Sequence, residues 1–204
     1  TLSMGPFLTA CTGMDALVHA IEAFVSTAHS PITDLHALEA IKIINSFLVK
    51  AVNEPDNVFV REQIMRGSME AGLAFSNAIL GAVHAMSHSL GGYLDLPHGE
   101  CNSILLENVV DFNFSAAEDK YKQVASCMGI DLRGMTSNNV KTALINHIVS
   151  FRKEVGIDHK LQDAGVRKHD IPKLASKAVA DACLLTNPRK ANQRDIETVY
   201  EEAL

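Results

Sequence analysis

Tryptophan is absent from the 204 residues, and aromatic side chains make up only 5% of them. Aliphatic packing must therefore build the core, and a hydrophobic fraction of 47% is enough for a substantial one. Only four cysteines occur, Cys11, Cys101, Cys127 and Cys183, scattered and with no C-x-x-C pair. That argues against a disulfide framework and for free, buried thiols in a reducing cytoplasm. Basic residues are few and unclustered, and the net charge is −6, which argues against nucleic acid as a partner. No uninterrupted apolar run reaches the roughly 18 residues of a membrane span. The chain opens on Thr1 without a Met or a charged-then-apolar leader, so the expectation is no signal peptide and a fragment or processed chain. Phosphate-cradling motifs of the G-x-G-x-x-G and G-x-x-x-x-G-K-[ST] kinds are missing. So are the G-x-S-x-G elbow and the H-E-x-x-H zinc motif.

What is present is helical periodicity almost throughout. Residues 9–27 place Leu17, Ile21, Phe24 and Val25 on one stripe, with Thr9 or Thr12 as the expected cap. The segment SPITD breaks that helix and starts another at Pro31, which runs through Leu35, Leu38, Ile41, Ile44 and Leu48 to about residue 53. A third helix is expected over residues 57–80. A short fourth over 82–90 should be stopped by Gly91-Gly92, with Pro97 opening the next. Weaker patterns cover roughly 117–128, 138–154, 170–185 and 192–203. No alternating strand pattern appears and the breaks are short. The expectation is one all-α domain over residues 1–204.

Asp15 and His19 stand four residues apart on the first helix, which puts both side chains on one face. His84 and His88 repeat that spacing on another helix, and His98 follows a turn. A carboxylate with several imidazoles suits zinc, iron(II) or a related ion better than calcium. An isolated Asp–His pair at this spacing is more often a surface ion pair. Three histidines within residues 84–98 are harder to assign to the surface. Spacing supplies five candidate ligands and does not choose among them. Cys11 and Cys101 read as small buried residues rather than ligands. Asp95 reads as a turn residue, and His29, His36, His147, His159 and His169 as surface or packing residues.

TGMDALVHAIEAFVS at 12–26, GLAFSNAILGAVHAMSHSLGGYLDLPHGECNSILL at 72–106 and DACLLTNPRKA at 181–191 resemble blocks of the iron-containing (group III) alcohol dehydrogenases. The resemblance runs along essentially the whole chain. It implies a multi-helix C-terminal domain of the dehydroquinate-synthase-like kind, catalytic and metal-binding. The α/β dinucleotide-binding domain that precedes it in full-length members has no counterpart here.

Matched position by position, the resemblance also chooses the ligands: Asp15, His19, His84 and His98. His88 falls on a histidine beside the nicotinamide and substrate, which makes it the catalytic and cofactor-binding candidate. Phe75 and Cys183 are implied as pocket lining. The implied cofactors are a divalent metal, iron(II) ahead of zinc, and NAD or NADP. The implied reaction interconverts a small primary alcohol or diol and its aldehyde, in a homo-oligomer, with the isolated domain inactive. Two alternatives stand beside it. One is a non-redox metal and NAD enzyme of the dehydroquinate synthase type, which the uninterrupted TGMDALVHAIEA block disfavours. The other is a non-catalytic helical module.

Overall fold

Proline and small polar residues set where the helices begin. In the computed structural model, which describes residues 1–204, Pro6 occupies the first turn of α1 (Pro6–Val25). A fixed φ and a missing N–H suit that position. The expected threonine caps lie inside the helix instead. Thr9 Oγ1 donates to the Gly5 carbonyl at 3.0 Å and Thr12 Oγ1 to that of Leu8 at 2.8 Å. α2 (Pro31–Asn53) starts at Pro31, as the SPITD break suggested, and Ser30 and Thr33 close a reciprocal capping box over its first turn. Asn57 caps α3 (Val58–Ala78) by accepting from Val60 N at 3.2 Å.

The fourth helix departs from expectation. α4 spans Ala82–Leu94 and runs straight through Gly91 and Gly92. It stops on Asp95, which is left-handed (φ 55°, ψ 36°) and donates its N–H to the Gly91 carbonyl at 3.0 Å. A mid-helix glycine costs only about 1 kcal/mol, and α4 is held by packing against α5 (His98–Asn113) and α8 (Ile171–Val179). The remaining long helices are α6 (Glu118–Cys127), α7 (Ser137–Glu154) and α9 (Gln193–Ala203). The single helix expected over 170–185 is divided. α8 ends at Val179, and after Asp181 the chain tightens into the 3-10 turn Ala182–Thr186. Asp181 caps that turn by accepting from Cys183 N at 2.8 Å.

There are no strands. One core cluster joins 51 buried apolar residues drawn from all nine α-helices. α1 runs through its middle and touches α2, α3, α5 and α6. It is also the one helix long and apolar enough to match a membrane span, although Asp15 and Glu22 interrupt its apolar run. Within its most apolar 18-residue window, 78% of residues are buried inside the protein. That marks it as a core helix.

Candidate metal centre

A polar face along this buried helix is what the core arrangement exposes to the neighbouring helices. Asp15 and His19 project one turn apart from α1, His84 comes from the first turn of α4, and His98 is the first residue of α5. Asp15 Oδ2 lies 3.6 Å from His19 Nδ1. Its Oδ1 lies 3.7 Å from His84 Nε2 and 3.5 Å from His98 Nε2. The His19 and His84 rings stand 4.3 Å apart, and those of His84 and His98 5.3 Å apart. Asp15, His19 and His84 offer donor atoms within 4.8 Å of one another, and His98 joins them through Asp15.

Two close approaches set this geometry. α5 begins against α1 at Gly99, where a Cβ would sit 2.4 Å from the Cys11 carbonyl oxygen. Only glycine lets His98 come so near Asp15. At the α3–α4 junction, a Cβ on Gly81 would lie 2.9 Å from both Glu22 Oε1 and Asn187 Oδ1. Just before it, Ile79 has φ 60° and ψ −162°, a region unfavourable for a β-branched residue. Ser26 Oγ donates to the Ala78 carbonyl at 2.5 Å and Thr186 Oγ1 to that of Leu80 at 2.7 Å, which clamps the junction on both sides.

Two polar residues that sequence reasoning did not single out belong to the cluster. Glu22, 3% exposed, accepts from His84 Nδ1 at 2.6 Å. Asn102 is fully buried. Its Nδ2 donates to Asp15 Oδ1 at 2.5 Å and lies 3.2 Å from His84 Nε2 and 3.0 Å from His98 Nε2. The available signal was helical spacing. Glu22 follows Asp15 by seven residues on the same face, and Asn102 follows His98 by four.

The charges respond to this crowding. Burial, reinforced by His84, holds the His19 pKa down to about 4. Burial also lowers that of His98. At His84 burial works in the same direction, but hydrogen bonds with Asp15 and Glu22 outweigh it and raise the pKa to about 9. Asp15 is lowered although burial opposes it, because His84, His19 and Asn102 favour its charged form.

These residues fit a divalent cation. Donor atoms that share one ion at about 2.1 Å stand roughly 3.0–3.4 Å apart, a little less than the 3.5–3.7 Å that separates Asp15 from each imidazole. The Asn102 amide nitrogen lies against Asp15 Oδ1 and the Nε2 atoms of His84 and His98, while its own Oδ1 is buried without a partner. One carboxylate and three imidazoles beside an unpartnered buried amide oxygen form a donor set that a divalent cation would suit once the His84 proton leaves.

His88 stands beside this group. Its ring stacks on that of His98 at 5.4 Å, and its Nδ1 donates to Asp181 Oδ2 at 2.9 Å. Its side chain is 44% exposed. Phe75 stacks on His19 at 4.3 Å, and Cys183 clusters with His88 and Asp181. Burial pushes the Cys11 and Cys101 thiols up to about 11 and about 12, which suits neutral packing groups. His29, His36 and His159 pair with Asp34, Glu70 and Glu100, His147 with Asn45, and His169 is exposed beside Asp170. None joins the cluster. The largest surface cleft, by Thr27, His29 and Lys120, lies at the far end of α1, where Lys120 is already held by Asp34 and the Phe24 carbonyl.

The architecture defines an all-α domain with an inward-facing Asp/His cluster. Residues 9–204 match the family described as Fe-containing alcohol dehydrogenase, C-terminal, and the chain belongs to that family. Among curated relatives, the 1,3-propanediol dehydrogenase of Klebsiella pneumoniae is 40% identical over 196 residues, which cover 96% of this chain and 51% of that protein. The NAD-dependent methanol dehydrogenase of Bacillus methanolicus is 38% identical over 197 residues, 97% of this chain and 52% of that protein. The crystal structure of a 1,3-propanediol oxidoreductase superposes with a TM-score of 0.98 at 39% identity, covering 100% of this chain and 53% of that one. The chain thus spans about half the length of the curated relatives it matches.

Proposed function

We propose that these 204 residues are the metal-binding half of an NAD(P)-dependent alcohol dehydrogenase acting on a small primary alcohol or diol and its aldehyde. Asp15, His19, His84 and His98 would hold one divalent ion, iron(II) ahead of zinc. The observation that carries this reading is the convergence of three imidazoles on the Asp15 carboxylate within 3.5–3.7 Å. When bound, such an ion polarises the alcohol or carbonyl oxygen, and a nicotinamide accepts or supplies the hydride. The names of the relatives favour this reading over the dehydroquinate synthase type.

The chain's own residues divide the remaining work. Asp15 gives the ion an anionic partner, and three imidazoles leave it a strong Lewis acid. Phe75 closes one side of His19 and keeps water from that ring. His88, exposed and held by Asp181, would pass the alcohol proton towards solvent and face the nicotinamide; both its bond to Asp181 and its exposure support that role. Cytoplasmic location and homo-oligomeric assembly belong to the same proposal. The four thiols are free, and Met65, Met69 and Leu73 form an exposed apolar row along α3.

Elemental analysis tests the ligand set. One divalent ion per chain is expected in the parent and in His29→Ala. Asp15→Ala, without the anionic ligand, should lose most of it. Equal metal in the Asp15 variant and the parent would refute the assignment.

A further inference from the structure

We propose that Glu22 is a positioning residue for the metal, fixing the tautomer and aim of His84 and tying the first turn of α4 to α1. The inference rests on the reading of His84 as a ligand. Glu22 is 3% exposed, and its four closest donors come from one short stretch of chain. Oε1 accepts from Val83 N at 2.6 Å. Oε2 accepts from Gly81 N at 3.1 Å, His84 N at 3.4 Å and His84 Nδ1 at 2.6 Å.

A carboxylate only accepts, so the proton at that last contact belongs to His84 Nδ1. The other ring nitrogen, Nε2, faces Asp15 Oδ1 at 3.7 Å and becomes the ligating atom once it gives up its own proton. Without Glu22 the neutral ring could place its proton on either nitrogen and rotate about its side-chain bonds. Metal-bound histidines commonly donate their second N–H to a carboxylate, which fixes the ring and strengthens the ligand.

The backbone contacts add a second restraint. The first amides of α4 carry the positive end of the helix dipole and have no partners within the helix. Glu22 receives two of them together with Gly81 N. α1 thereby supplies Asp15 and His19 directly and aims His84 through Glu22. The near contact at Gly81 belongs to the same arrangement, since a side chain there would push Glu22 off the turn.

A purely architectural role is separable, because Asn187 anchors the same turn without touching His84. Its Oδ1 accepts from Ala82 N at 3.1 Å, and its amide pairs reciprocally with Asn113 at 2.8 Å. The experiment titrates Zn2+ against a chromophoric chelator in the parent, Glu22→Gln, Asn187→Ala and Asp15→Ala, with thermal midpoints alongside. The expected result is a 10- to 100-fold loss of zinc affinity in Glu22→Gln, and a lowered midpoint with affinity kept in Asn187→Ala. Parent-like affinity in Glu22→Gln, or equal losses in the two variants, overturns the inference while leaving the ligand set intact. Undiminished affinity in Asp15→Ala overturns the ligand set itself. Should Glu22→Gln not fold, 15N spectra of the zinc-loaded parent decide. A proton on His84 Nδ1 with zinc at Nε2 is expected, and the reverse arrangement contradicts the proposal.

Discussion

Asp15 is the group on which the cluster turns, since three imidazoles face its two oxygens. Its pairing with His84 gives a pH dependence of definite sign. The His84 pKa is raised from 6.5 to about 9. In the metal-free protein that proton favours the folded state below about pH 6.5, and its contribution is lost as pH rises through 9. A metal at Nε2 must displace the same proton, whereas His19, held down to about 4, is already neutral. Metal affinity should therefore rise about tenfold per pH unit between pH 6.5 and 9, with one proton released per ion. Calorimetry in buffers of different ionisation enthalpy measures that number; a pH-independent affinity would contradict it. The Asp15–His19 pair was legible in the sequence because helical spacing alone puts the two on one face. The choice between His88 and His98 was not, because both lie at plausible spacings. The resemblance made that choice, and the Asp181 contact of His88 is consistent with it. Glu22 and Asn102 escaped notice because glutamate and asparagine are ordinary in helices and their partners lie far along the chain.

The helices place the cluster through a few near-contacts, and Gly99 is the sharpest of them. A methyl group there would meet the Cys11 carbonyl oxygen at 2.4 Å and its carbon at 2.8 Å. Both are backbone atoms, so α5 must move away from α1 and take His98 with it. Gly99→Ala should lower stability by about 1–3 kcal/mol, a fall in thermal midpoint of roughly 2–4 °C for each kcal/mol at this size, and it should weaken metal binding. An unchanged midpoint with full metal content would show that the approach is not restrictive. Helix ends were legible where a proline or a break marked them, and not at α1, whose expected threonine caps lie inside the helix. SPITD marked the start of α2 at Pro31, because a proline fits the first turn of a helix, while the capping box of Ser30 and Thr33 emerged only in the structure. Gly91 and Gly92 suggested a stop that packing against α5 and α8 overrides. The break at Asp181 was hidden because its carboxylate caps a 3-10 turn within a continuous apolar pattern.

At the scale of the whole molecule, the all-α class was legible because helical periodicity ran through every segment and no alternating pattern competed. The single core follows from the short breaks between helices. Hydride transfer, however, needs a nicotinamide carbon roughly 3–3.5 Å from the carbon that reacts. Pyrophosphate and adenosine contacts set that position, and no glycine-rich dinucleotide loop occurs among these 204 residues. The account therefore predicts that the 204 residues alone hold the metal without oxidising alcohols. An assay with short primary alcohols and diols, with NAD and NADP, checks this; metal-dependent turnover would overturn it.

The central claim is the identity of the four ligands. Anomalous diffraction from crystals of the metal-loaded protein, recorded across the absorption edge of the bound ion, tests it most directly. The account predicts one peak, about 2.0–2.2 Å from an Asp15 oxygen and from one nitrogen each of His19, His84 and His98, with His88 still bonded to Asp181. A peak among His88, Asp181 and Cys183, with Asp15 free of the ion, would contradict it.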